Sequence, residues 1–209
     1  MTTLEKIAFF QNQRDEIPNQ LLAKELAVTK DIAGIREIAE NLTNKNKNVR
    51  SDCVKVLYEI GYIDPGLIVD HAQDLLNLLK LKENRMVWGA MIGLAAIADL
   101  CPQKIWIQIE DIIHITKKGT VITQVWGMRV LAKVAAADQR YNKNIYPFLL
   151  NQIRTCIPRD VPTHSESILC AVDAKNKGEL LSILEDRKKE MSPAQLVRFK
   201  KVLKSIQSK

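Results

Sequence analysis

A chain of 209 residues that is 46% hydrophobic and 26% charged has the apolar content of a folded protein, which excludes a disordered one. Aromatic residues make up only 5%, while Leu, Ile, Ala and Lys abound, a balance that favours helices over sheets. The net charge of +7 is unevenly placed: residues 175–209 hold ten Lys/Arg and four Asp/Glu, whereas residues 1–174 hold 21 and 20, so the repeats themselves are nearly neutral.

The start, MTTLEKIAFFQNQRDE, has no basic segment followed by an apolar run and a small-residue cleavage site, so no signal peptide is expected. The longest apolar run, Met86 to Ala98, has 13 residues. That is short of the roughly 18 that span a bilayer. Cys53, Cys101, Cys156 and Cys170 make no CxxC pair and read as buried, reduced thiols. A cytoplasmic location without membrane contact follows as the expectation.

Apolar spacing is helical along the chain, with no period-two alternation and no hairpin signal. Residues 3–14, 18–29 and 31–43 read as three short helices. Residues 48–61 form a longer one, with Val49, Cys53, Val54, Leu57 and Ile60 on one stripe. Asp64 and Pro65 then read as N-cap and first residue of a helix running to about Lys82, with Ile68, Leu75, Leu76 and Leu79 inward. A helix over 84–100 follows, and Pro102 starts another that holds Ile105, Ile109, Ile112 and Ile113. Thr120 or Thr123 opens a helix through Ala137, and a helix around 145–157 carries Pro147 in its first turn. The stretch Ile157 to Thr163, stiffened by two prolines, ends the regular pattern. Two further helices cover 177–190 and 193–207, the second opened by the capping-box pattern Ser192-Pro193-Ala194-Gln195. No linker interrupts these elements, so a single domain over 1–209 is expected: atypical helices in 1–47, repeats in 48–174, and a basic capping pair in 175–209.

The repeats have a period of 38 residues. Val49-Arg50, Val87-Trp88 and Val125-Trp126 open VRSDCVKVLYEIG, VWGAMIGLAAIAD and VWGMRVLAKVAAA. A fourth copy falls in register at Thr163-His164, where Ile168, Leu169 and Val172 match Val130, Leu131 and Val134. Units of this length stack on their neighbours to build a continuous core. The stretch NKNVRSDCVKVLYEIG resembles the HEAT/armadillo repeat, in which a Val-Arg pair opens an Ala- and Leu-rich helix after a polar turn. The resemblance covers about Val49 to Val172 and implies an all-α, right-handed α-α superhelix, a HEAT-like solenoid of about five helix pairs. It further implies that the helices opened by Val-Arg line a concave surface, and that proteins or peptides bind there. The repeat aligns Arg50, Trp88, Trp126 and His164 as one ladder, with Arg129 a turn below Trp126. Such a row of cation, indole, indole and imidazole can stack on a peptide side chain, a base or a cationic ligand. A structural reading competes with it: the indoles fill the space between stacked helices, and Gly89 and Gly127 leave room for them.

A narrower resemblance is to the HEAT-like alkylpurine DNA glycosylases, whose Trp-x-x-Arg element is similar to Trp126-Gly127-Met128-Arg129. Where that family places an Asp four residues after a Trp, this chain has Ile92, and neither Asp99 nor Asp52 fits the spacing. A cationic glycosylic transition state needs a carboxylate beside it. The alternative partner is therefore nucleic acid, bound without catalysis. His71, His114 and His164 form no catalytic set, with His71 next to Asp70 or Asp74 on its helix and His114 partly buried on an Ile-rich one. No phosphate-cradling loop or metal-ligand spacing is present, and no cofactor is expected.

Overall fold

The computed structural model describes residues 2–208, and among them all regular structure is helical. The chain divides into two compact units, one up to Gln108 and one from Ile109 onward.

The first unit contains α1 (Ile17–Thr29), α2 (Ile32–Glu40), α3 (Lys47–Ile63), α4 (Ala72–Leu78), α5 (Asn84–Ile97) and α6 (Pro102–Trp106). Helix α3 packs between α1 and α5, while α2, α4 and α6 lie behind this row, α2 against α3 and α4 against α5 and α6. The predicted stripe of α3 is the reason: Val49, Cys53, Val54, Leu57 and Ile60 are all buried. Asp64 caps as expected, its side chain accepting from the Gly66 N–H at 3.1 Å, but the turn after Pro65 is a 3-10 helix, Pro65–His71, before α4 begins. Ile68, Leu75, Leu76 and Leu79 point inward there.

Residues 3–14 are not the expected helix. Only Leu4–Lys6 form a 3-10 turn, because side chains from later helices claim the backbone donors of this segment. The Glu37 carboxylate accepts from the N–H groups of Thr3 and Leu4, at 3.1 and 3.3 Å. Asn19, fully buried, accepts from Ala8 N–H at 2.9 Å and donates to Asp52 at 2.9 Å, and Asp52 accepts from Phe9 N–H at 2.8 Å. The segment keeps only isolated turns of its own, such as Ile7 N–H to Leu4 O and Gln11 N–H to Ile7 O, and is fixed for the rest by these side chains.

The second unit contains α7 (Ile109–Lys118), α8 (Val121–Ala137), α9 (Gln139–Thr155), α10 (Val161–Ile168), α11 (Lys177–Lys188) and α12 (Pro193–Gln207). Helices α8, α10 and α12 form one row, and α7 and α9 pack on α8 from the other side, with α11 against α9. Thr120, not Thr123, is the N-cap of α8. Helix α9 begins at Gln139, capped by Asp138, which accepts from Arg140 N–H at 2.7 Å. Pro147 therefore sits inside the helix, with its ring exposed, and not in the first turn. The capping box of α12 is formed: Ser192 accepts from Gln195 N–H at 3.4 Å, and Gln195 Oε1 accepts from Ser192 N–H at 2.7 Å.

The glycines beside the indoles serve the neighbouring helix, not the indole. A Cβ on Gly89 would lie 2.9 Å from Val54 of α3, and one on Gly127 would lie 2.0 Å from Thr116 Oγ1 of α7. Both positions let helix backbones approach closely. His164 departs most from expectation: it is 2% exposed, inside α10, and its Nδ1 has no hydrogen-bond partner among the described residues. Burial pulls its pKa down, opposed only in part by Asp160.

One buried charge closes the second unit. Arg187 of α11 is 7% exposed. It donates to the carbonyls of Ile153, Arg154 and Cys156 at 2.7–2.8 Å, and to Glu190 at 3.0 Å. It thereby satisfies the last carbonyls of α9, which lack intrahelical donors. Because Lys cannot reproduce this fork, Arg187→Lys should lower stability by about 2–3 kcal/mol in urea unfolding. A second expectation concerns pH. Near neutrality His164 is uncharged both folded and unfolded, but below about 6.5, its ordinary value, the unfolded chain takes up a proton that the folded one resists. Stability should therefore fall as pH drops from 7 towards 5, by at most about 1.4 kcal/mol per pH unit from this group. Unfolding curves of His164→Phe should be flatter over that range.

Candidate functional site

Helix α5 begins beside Glu83, and its first turns place Arg85 and Trp88 three residues apart, on neighbouring positions of the helix surface. The Arg85 guanidinium lies over the Trp88 indole, 4.3 Å from its centre. Trp88 also meets Tyr58 of α3, ring centres 6.3 Å apart, and Tyr58 in turn meets Tyr62 edge-on at 5.9 Å. Lys55 lies 4.9 Å over the Tyr58 ring. The charges are tied together by Glu16, which precedes α1: its carboxylate pairs with Arg85 and, at 2.9 Å, with Lys55, which also pairs with Glu59 at 2.6 Å. Two acids and two bases thus surround a half-buried aromatic group on the α1–α3–α5 row.

The electrostatics follow from this geometry. Burial pushes the Glu16 carboxyl up, but hydrogen bonds from Lys55 and Arg85 outweigh it and hold the group below the usual carboxylate range. Burial works against the Lys55 ammonium as well. Its bonds to Glu59, Glu16 and Tyr58 prevail and raise its pKa. Tyr58 is shifted up, chiefly by burial. Two carboxylates, Glu16 and Glu59, face two cations, Lys55 and Arg85, so the formal charges of the site balance.

Helix α8 repeats the stack with the order reversed: Arg129, three residues after Trp126, lies 4.2 Å over the indole. Both indoles are half-buried. The other two ladder positions behave differently. Arg50 is turned away into a hollow of about 440 Å³, lined also by Leu42, Leu78, Leu81 and Asp74. There it donates to both carboxylate oxygens of Glu83 at 2.8 Å and to the carbonyl of Asn44 at 2.6 Å, so its cationic group is committed within the fold. His164, inside the core of its unit, presents no ring to a binding surface. The sequence reading missed Arg85, Glu16, Lys55 and Tyr58. Arg85 stood at helical spacing from Trp88, which was the available signal, whereas Glu16 reaches the site only through the packing of α1 on α3.

Ile92, at the position of the glycosylase carboxylate, is 5% exposed in α5. Asp52 is held by Phe9 and Asn19. His71 pairs with Asp74 at 3.2 Å, and His114 is exposed, not partly buried. Of the four cysteines only Cys53 is fully buried, its pKa pushed up to about 12 by burial, while Cys101 and Cys156 are half-buried and Cys170 is exposed. No helix among the described residues is long and apolar enough to cross a membrane.

No family model matches the sequence, and no curated protein matches it. Solved structures do match. An engineered protein is similar over 100% of this chain and 98% of its own, at 16% identity and a TM-score of 0.69. A designed armadillo repeat protein in complex with the peptide (KR)4 is similar over 98% of both chains, at 13% identity and a TM-score of 0.66. A computationally designed armadillo repeat protein for modular peptide recognition is similar over 97% of this chain and 98% of its own, at 13% identity and a TM-score of 0.64. At such identities the likeness concerns the fold, and the fold of this chain is that of an armadillo/HEAT-like helical-repeat solenoid.

Proposed function

We propose that the protein is a non-enzymatic, cytoplasmic binding module that takes up extended peptide segments of a partner protein. The observation that carries this reading is the pair of Arg-on-Trp stacks, Arg85–Trp88 and Arg129–Trp126, one in each unit. Both stand on the repeat helices that the HEAT/armadillo resemblance assigns to the binding surface. A half-buried indole held flat by a guanidinium is a rigid apolar contact with few rotamers left to lose on binding. Glu16, Lys55 and Glu59 around Trp88 add donors and acceptors suited to a peptide backbone or a charged side chain. Two similar designed proteins support the same use, being made for peptide recognition or bound to a peptide. Catalysis on the glycosylase pattern has no support, since a buried isoleucine stands where the carboxylate would act.

Trp88→Ala and Trp126→Ala should each weaken capture of octapeptides that the unaltered chain retains on an array of acidic, basic and aromatic compositions. The expected loss is about 10-fold or more, as for an aromatic anchor. If both variants fold and retain those peptides unchanged, the site is wrong. Glu16→Gln tests the support beneath Trp88. It should lower stability at pH 7 by less than about 1 kcal/mol, because the carboxylate is nearly half exposed. The depressed pKa makes Glu16 stabilising above its ordinary value of 4.5, and that contribution is lost as pH falls through the folded value. Urea midpoints of the two proteins should therefore converge in acid.

A further inference from the structure

Helix α12 contains Arg198, Lys200, Lys201 and Lys204 and no acidic residue. At about 100° per residue, Val197, Lys200, Lys201 and Lys204 fall in one sector, opposite the buried Phe199, Val202 and Ile206. Arg198 at the edge of this sector is neutralised: it donates to Glu166 of α10 at 3.0 Å and to Thr163 at 3.2 Å. The three lysines are exposed, and their ammonium groups make no ion pair or hydrogen bond among the described residues. The helix that presents them is fixed at its start by the capping box and along its length by its apolar stripe. We infer that this outer face of α12 binds the phosphodiester backbone of nucleic acid, without regard to sequence.

Charge complementarity selects a polyanion, and the rest of the face selects among polyanions. A helix that lies in a membrane surface needs a broad apolar face beside its basic one. The apolar stripe of α12 is spent on the fold, and Val197 is the single large apolar side chain left exposed on it. A phosphate backbone needs no such face. Lysine, a point charge on a flexible stem, suits phosphate contact but reads no base, and no aromatic ring stands on the face for base stacking.

The test is fluorescence anisotropy of the full chain with a mixed-sequence DNA duplex of about 20 base pairs. Three phosphate contacts give a slope of log affinity against log salt of about −2.7, so affinity should fall about 40-fold between 50 and 200 mM salt. Lys200→Gln/Lys201→Gln/Lys204→Gln should abolish this dependence, and Lys201→Gln alone should reduce the slope by about 0.9. A control of equal charge change on exposed lysines of the first unit, Lys24→Gln/Lys45→Gln/Lys47→Gln, should bind as the unaltered chain does. All of these variants should keep the original unfolding midpoint. Absence of binding at 50 mM salt overturns the inference, as does equal weakening by both triple variants. Retention on phosphatidylserine vesicles or polyglutamate as tight as on DNA overturns it as well, by moving the face to a membrane or an acidic protein.

Discussion

Each unit depends on the contact between successive helices of the same row. Helix α3 has neighbours on both sides, α1 and α5, and its apolar stripe is buried only because both are present. Burial of that kind contributes roughly 25 cal/mol per Å² of apolar surface, and no single repeat helix could collect it alone. The same requirement sets where glycine is needed. At Gly127 the Thr116 side chain of α7 occupies the space of a Cβ, so helix separation is fixed by the missing atom. Everything else in the site, including which residues are half-exposed, follows from how closely these helices approach.

Outside the apolar stripes, polar groups hold two further stretches of backbone. The segment before α1 is held by Glu37, Asn19 and Asp52 through its backbone N–H groups. The end of α9 is held by Arg187 through its carbonyls. The order of both stretches rests on hydrogen bonds formed in partly dry surroundings, where each is worth more than at the surface.

Local rules made much of this visible beforehand. Asp64 before Pro65 and the Ser192–Gln195 box are decided by atoms a few residues apart, and both form. Periodicity located the buried face of α3 because that face repeats with the helix. What escaped is what depends on distant partners. Residues 3–14 have helical spacing, yet acceptors more than thirty positions away take their donors. The start of α9 is set by Asp138 and lies well before its apolar residues begin, so Pro147 looked like an opening residue when it is an interior one. Nothing in the basic segment 175–209 sets Arg187 apart from its other cations, yet its guanidinium is buried against the end of α9.

The aligned position of the repeat shows why such a scaffold can carry function without disturbing itself. Core positions such as Val54, Ile92 and Val130 stay aliphatic in every copy because they are enclosed. The position holding Arg50, Trp88 and Trp126 lies at the border of the packed row, while its fourth copy, His164, lies in the core, so its environment differs between copies. Arg50 is drawn to Glu83, the two indoles are half-buried beneath arginines, and His164 is covered completely. A border position is free to change residue type because the stacking energy does not run through it. The same alignment that placed Ile92 in the core also excluded a carboxylate from it, since an unpaired buried charge there would cost several kcal/mol. A binding ring is thereby placed at the border, where the indoles of Trp88 and Trp126 each lie under a neighbouring guanidinium.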